Sequence, residues 1–180
     1  MRSYPRPKTS EEFEQICLEY LRREWKRSSL VLYAKSGYAQ HGVDIVDGGD
    51  GGDCWAAQCK LHEDGKALRA AEVLAEVGKA EAFARPIRRY AVCTTGKKTP
   101  HAQDAIAKLN TERAASGKFL VELIYWEDIE LRFEGDDEFR EHYSSSSHAS
   151  VRAVLHAELA PVKTKLADVL SEAQAVGATT

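Results

Sequence analysis

Gly42-Val43-Asp44-Ile45-Val46 and Cys54-Trp55-Ala56-Ala57-Gln58-Cys59-Lys60-Leu61 flank the run Asp47-Gly48-Gly49-Asp50-Gly51-Gly52-Asp53. The run of glycines and aspartates reads as a flexible hairpin connection. The flanks, Val43–Val46 and Cys54–Leu61, then read as strands. Side chains alternate faces along a strand, so Gln58 and Lys60 point the same way. The hairpin brings Asp44 beside them. A carboxylate, an amide oxygen and an ammonium share one sheet surface, with the Cys59 carbonyl between them.

Upstream, Thr9 or Ser10 caps a helix whose first turn is acidic, with Glu11, Glu12 and Glu14, as the helix dipole favours. Phe13, Ile16, Cys17, Tyr20 and Leu21 recur at steps of three and four, which carries the helix to about Lys26. Leu30–Ala34 is a short strand, and Ser36 to Gly42 a polar turn. Downstream the period changes. Lys66 to Ala84 reads as a helix with Leu68, Ala71, Val73, Leu74, Val77, Ala80 and Phe83 on its apolar side, and Pro86 stops it. Tyr90–Thr94 is a buried strand. Pro100 opens a helix to about Ala115. Leu120–Tyr125 is the last strand, and a short helix runs from Trp126 to Phe133. A three-stranded meander followed by crossover helices predicts an α/β fold, a mixed β-sheet flanked by helices in the order αβββαβ. Gly135 to Ser147, acidic and then Ser-rich, reads as a linker. A helix from about Ser150 to Val176 carries Val151, Leu155, Leu159, Val162, Leu166, Val169 and Ala173 along one stripe. The expected organisation is a domain over 1–143 and a linker with a C-terminal amphipathic helix over 144–180, for oligomerisation or partner docking.

The 180 residues are 43% hydrophobic and 29% charged, the balance of a soluble globular chain. No apolar run is long enough to span a membrane. Cys17, Cys54, Cys59 and Cys93 form no CxxC pair, and three sit in apolar stretches. They read as buried thiols of a reducing, cytoplasmic setting, neither a disulfide framework nor a zinc site. Net charge is −3, but unevenly spread. Residues 1–119 carry 20 Lys and Arg against 16 Asp and Glu, and residues 120–180 carry 5 against 12. A mildly basic front is compatible with a polyanion.

Asp44, Gln58 and Lys60 are polar residues among apolar strand neighbours, where an unpaired charge is expensive. Singly, Asp44 reads as a turn-flanking carboxylate and Lys60 as an exposed strand lysine. Together with the Cys59 carbonyl they form an oxygen-rich site suited to Mg²⁺, with Mn²⁺ as a substitute. Lys60 beside a bound water is placed to act as general base or to stabilise a pentavalent phosphate. Gln40 and His41 read either as DNA or water contacts or as a hydrogen-bonded turn. Thr94, Thr95, Lys97 and Lys98 follow a strand end and precede a helix N-terminus, a position suited to a DNA phosphate. Arg85, Arg88 and Arg89 form a basic cluster that reads mainly as a solvated surface. Gly96-Lys97-Lys98-Thr99 imitates a phosphate-binding loop, but the glycine needed five residues earlier is Ala91. Asp44 to Asp53 lacks the spacing and the closing Glu of a calcium loop.

Tyr38-Ala39-Gln40-His41-Gly42-Val43-Asp44-Ile45 followed by Trp55-Ala56-Ala57-Gln58-Cys59-Lys60 resembles the PD-(D/E)xK nucleases of restriction-endonuclease-like fold. The likeness is to their Mrr-like branch with a D…QxK motif, and to DNA-degrading effector nuclease domains of bacterial antiphage systems. It covers about residues 10–133. Val43 stands where the family name has proline. The resemblance implies that Glu14, after Phe13 on the first helix, completes the metal site with Asp44, Gln58 and Cys59. It also implies cleavage of double-stranded DNA to a 5′-phosphate and a 3′-hydroxyl. Glu11 and Glu12 are rivals for the place of Glu14. The expected function is a metal-dependent DNA endonuclease of low sequence specificity, held inactive until assembled or triggered. The alternative is a non-catalytic interaction module that keeps the fold.

Overall fold

The computed structural model describes residues 4–33, 41–49, 54–141 and 143. Two compact units divide the chain, Met1–Phe139 and Arg140–Thr180; the elements named below lie in the first. Its elements are α1 (Ser10–Glu24), β1 (Leu30–Leu32), β2 (Ile45–Asp47), β3 (Cys54–Lys60), α2 (Ala70–Ala80), β4 (Ile87–Thr94), α3 (Pro100–Ala115), β5 (Leu120–Tyr125) and α4 (Trp126–Gly135).

One sheet holds all five strands in the order β1-β2-β3-β4-β5. β1, β2 and β3 pair antiparallel. β3, β4 and β5 pair in parallel, which requires the long crossovers that α2 and α3 supply. Helices cover both faces. On one, Ala56 of β3, Tyr90 and Val92 of β4, and Val121 and Tyr125 of β5 cluster with Val73, Val77 and Ala80 of α2 and Ile106 of α3. Cys59 and Cys93, which alternate with those strand residues, face α1 on the other. The expected mixed sheet flanked by helices is therefore the observed one.

α1 forms as its sequence requires. The Thr9 hydroxyl accepts from the Glu12 N–H at 3.1 Å, the acidic residues sit in the first turn, and Arg22 and Arg23 sit in the last. Phe13, Ile16, Cys17, Tyr20 and Leu21 are buried. α3 has the expected bounds, with Thr99 as its cap and Pro100 in the first turn.

α2 departs from expectation at both ends. Residues 66–69 are extended because their backbone pairs with the segment after β4: Lys97 N–H donates to the Lys66 carbonyl at 2.8 Å, and Ala67 bridges Lys97. Leu74 faces solvent at 44% exposure, although its spacing placed it on the apolar side. The first part of the segment read as linker is helical. The Asp136 carboxylate accepts the Phe139 N–H, residues 137–141 are helical, and the Phe139 ring stacks on Phe133 at 4.6 Å. A buried aromatic on an acidic stretch holds the segment against α4. The expected C-terminal helix lies outside the described residues. No described helix is long and apolar enough to cross a membrane.

Candidate active site

Asp44 sits just before β2, at a point where the backbone is held from three sides. Its N–H donates to the Ala57 carbonyl at 2.8 Å, and its carbonyl accepts from Tyr33 at 2.7 Å. Two residues earlier, Gly42 has φ +68°, and a side chain there would meet the Glu76 carbonyl at 2.9 Å. Glycine satisfies both the left-handed backbone and the close approach to α2. The buried Tyr90 hydroxyl then donates to the Gly42 carbonyl at 2.6 Å. The loop is thereby pinned between α2 and β4, and Asp44 is presented at the edge of β3.

The Asp44 carboxylate is 4% exposed. Its Oδ2 accepts the Cys59 N–H at 2.7 Å and the Gln58 side-chain amide. The same Gln58 nitrogen reaches the Cys59 carbonyl at 3.2 Å. The amide of Gln58 thus lies between two oxygens, and Oδ1 of Asp44 has no described hydrogen bond. Burial pushes the Asp44 carboxyl above the usual carboxylate range, and the Glu76 charge adds to this, against the Cys59 N–H, the Lys60 ammonium and the Gln58 amide. Glu14 of α1 is also raised, first by burial, next by the charge of Asp44 and then by that of Glu11. The Asp44 charge therefore reaches Glu14 from across the α1–sheet junction.

Lys60 ends β3 with its ammonium 2.8 Å from Glu76 Oε1. Lys79, one turn along α2, meets the same oxygen at 2.9 Å. Burial alone would raise the Glu76 carboxyl, but hydrogen bonds from Lys60 and Lys79 outweigh it and hold Glu76 below the ordinary range. Glu76 was missed in the sequence, although a signal was present: it falls between Val73 and Ala80 on the buried stripe of α2, a charged residue at a core position.

The other expected contacts separate. Thr94 and Thr95 are fully buried and their hydroxyls are committed. Thr94 bonds the Lys60 carbonyl, the Gly96 N–H and His62; Thr95 donates to the His62 carbonyl and accepts the His62 N–H. They brace the end of β3 and do not face a phosphate. Lys97 and Lys98 are exposed, with Lys98 paired to Asp128 at 2.7 Å. His41 is exposed at φ +47°. Gln40 lies outside the described residues. Arg85 and Arg89 are drawn into the fold by the Asp47 carbonyl and by Glu122.

Among the described residues, then, one polar centre gathers Asp44, Gln58, the Cys59 backbone, Lys60, Glu76 and the nearby Glu14. Hydrolysis at a phosphodiester needs this kind of set: anionic oxygens for a cation, and a fixed cation for developing charge. Residues 5–132 match a protein-family model described as restriction endonuclease. No curated protein and no solved structure matches the chain.

Proposed function

The chain belongs to this restriction endonuclease family and carries a nuclease domain; from that premise we propose that it is a divalent-metal-dependent DNA endonuclease working at the Asp44 centre. The observation that carries the reading is the buried Asp44 carboxylate, held by the Cys59 N–H and the Gln58 amide beside Lys60 and raised first by burial, whose charge in turn raises Glu14 of α1. A divalent ion would relieve both the repulsion and the burial cost. The residues fit such an ion. Asp44 Oδ1 and Glu14 would hold it, with the Cys59 carbonyl and, once the Gln58 amide turns its oxygen in place of the nitrogen that now bonds Asp44 and Cys59, the Gln58 side chain as well; oxygen-only donors with a low charge suit Mg²⁺, or Mn²⁺ in its place. Once bound, the ion would supply Lewis acidity toward the phosphate and a more acidic water.

The chain's own residues do the rest. The Cys59 N–H and the Gln58 amide fix the rotation of the Asp44 carboxylate. Lys60, anchored 2.8 Å from Glu76 Oε1, would orient the attacking water or stabilise the developing phosphorane. Of the two roles expected for Lys60, the orienting and charge-stabilising one is favoured. Exposed Lys97 and Lys98 are proposed as backbone-phosphate contacts. Nothing among the described residues is shaped to read base edges, which favours low sequence specificity and, with the resemblance noted above, a role as a DNA-degrading effector in antiphage defence. The apolar stripe of residues 150–176 is proposed to pair copies or dock a regulator, which truncation after Tyr143 and light scattering would test.

The deciding experiment is plasmid DNA incubated with the purified chain in Mg²⁺, in Mn²⁺ and in a chelator, beside Lys60→Ala. Degradation in either metal, lost with the chelator and in the variant, is expected. Equal degradation by Lys60→Ala would remove the site. A folded wild type that binds DNA and never cuts it would make the chain an interaction module.

A further inference from the structure

On the face of the sheet that packs against α1, three cysteine sulfurs meet. Cys17 lies in the middle of α1, while Cys59 and Cys93 are partners in register on parallel strands β3 and β4. All three sulfurs lie within 4.8 Å of one another. Cys17 and Cys93 are fully buried and Cys59 is half-buried. Spacings of 42 and 34 residues hide the group from any search for CxxC pairs; a helix and two strands assemble it. Cys54, also buried, is not part of it.

We propose that Cys17, Cys59 and Cys93 form a three-coordinate site for a soft, thiophilic cation of the Cu(I) kind, separate from the oxygen-lined hydrolytic centre. Metal–thiolate bonds of about 2.3 Å, arranged in a plane, set sulfur–sulfur separations of about 4.0 Å. The trio needs to close by less than about 1 Å at its widest to reach that geometry. The donor set selects the ion. Three sulfurs with no oxygen or nitrogen ligand offer nothing to Mg²⁺ or Ca²⁺, and thiolates prefer Cu(I) and Zn²⁺. Zn²⁺ demands a fourth ligand in a closed structural site, and no His, Asp or Glu joins the three among the described residues. Three sulfurs with no fourth donor match the three-coordinate geometry that soft Cu(I) accepts and tetrahedral Zn²⁺ does not.

The site touches the hydrolytic centre through one residue. The Cys59 N–H holds Asp44 and its carbonyl accepts from Gln58. Closing the sulfur triangle would therefore pull on the same backbone that sets the Asp44 carboxylate. The binding claim itself rests on the sulfurs alone and stands or falls without any nuclease activity.

The test is an anaerobic titration of the reduced full chain with Cu(I), supplied as its acetonitrile complex, against a chromogenic Cu(I) chelator. One Cu(I) per chain should be withheld from the chelator, with a rise in melting temperature. Retention should fall by roughly tenfold or more in Cys17→Ala and Cys93→Ser, and persist in Cys54→Ser. X-ray absorption of the loaded wild type should show three sulfur neighbours, which decides the matter even if a variant fails to fold. Complete stripping by the chelator would leave the trio as reduced core thiols and end the proposal. So would equal loss in Cys54→Ser, a shell of two sulfurs or of nitrogen and oxygen, or uptake of Zn²⁺ with Cu(I) refused.

Discussion

Glu76→Gln removes one negative charge from a buried point that two lysines share. Glu76 is 6% exposed and accepts from Lys60 at 2.8 Å and Lys79 at 2.9 Å. Breaking a fully buried pair from one side costs about 3–5 kcal/mol. Here the Lys60 and Lys79 side chains are 33% and 56% exposed, so water recovers part of their solvation. That discount brings the expected loss to about 1–2 kcal/mol, or roughly 3–7 °C in melting temperature for a domain of this size. The pH dependence gives the sharper check. Burial alone would push Glu76 up, but the two ammoniums hold it below its ordinary value. A depressed folded value means that its stabilisation is present above the unfolded carboxylate range near about 4.3 and is lost as pH falls through the folded value. Wild type and Glu76→Gln should therefore differ in urea unfolding at neutral pH and converge in acid. Plasmid cleavage should also slow by about tenfold or more, as Lys60 loses its anchor. Equal stability at neutral pH, or a gap that persists unchanged in acid, would refute this account of Glu76.

Three further outcomes are expected. Asp44→Ala should abolish cleavage while moving the melting temperature by only a few degrees, because burial and the Glu76 charge already penalise the charged form and their relief offsets the lost hydrogen bonds; a folded Asp44→Ala protein with normal cleavage would remove Asp44 from the chemistry. Calorimetry should show weak Mg²⁺ binding to the free chain and clear binding when DNA is added to Lys60→Ala, since glutamine at 58 leaves the site one negative charge short; micromolar binding without DNA would contradict this. Tyr90→Phe should cost about 1–2 kcal/mol by leaving the buried Gly42 carbonyl unbonded. It should also lower cleavage by loosening the loop that carries Asp44, whereas unchanged stability in chemical denaturation would show that water replaces the hydroxyl.

Much of this chain was legible because its signals are local. Thr9 and the steps of three and four through Leu21 define α1, Thr99-Pro100 opens α3, and the glycine run between two β-branched and apolar stretches fixes β2 beside β3. Strand alternation puts Gln58 and Lys60 on one side, so most of the candidate site could be assembled from about twenty consecutive residues. α2 was misjudged at its start because the backbone of residues 66–68 bonds to Lys97, thirty residues away, and no local pattern records a partner at that distance. For the same reason Thr94 and Thr95, read as phosphate contacts at the strand end, turn out to commit their hydroxyls to Lys60 and His62. Glu76 and the Cys17–Cys59–Cys93 trio belong to tertiary structure altogether. A helix's own sequence shows that a face is buried, but what that face meets depends on which strand lies opposite. That is set by the parallel crossovers, which lay α2 against the end of β3 and bring Cys93 into register with Cys59 beneath α1.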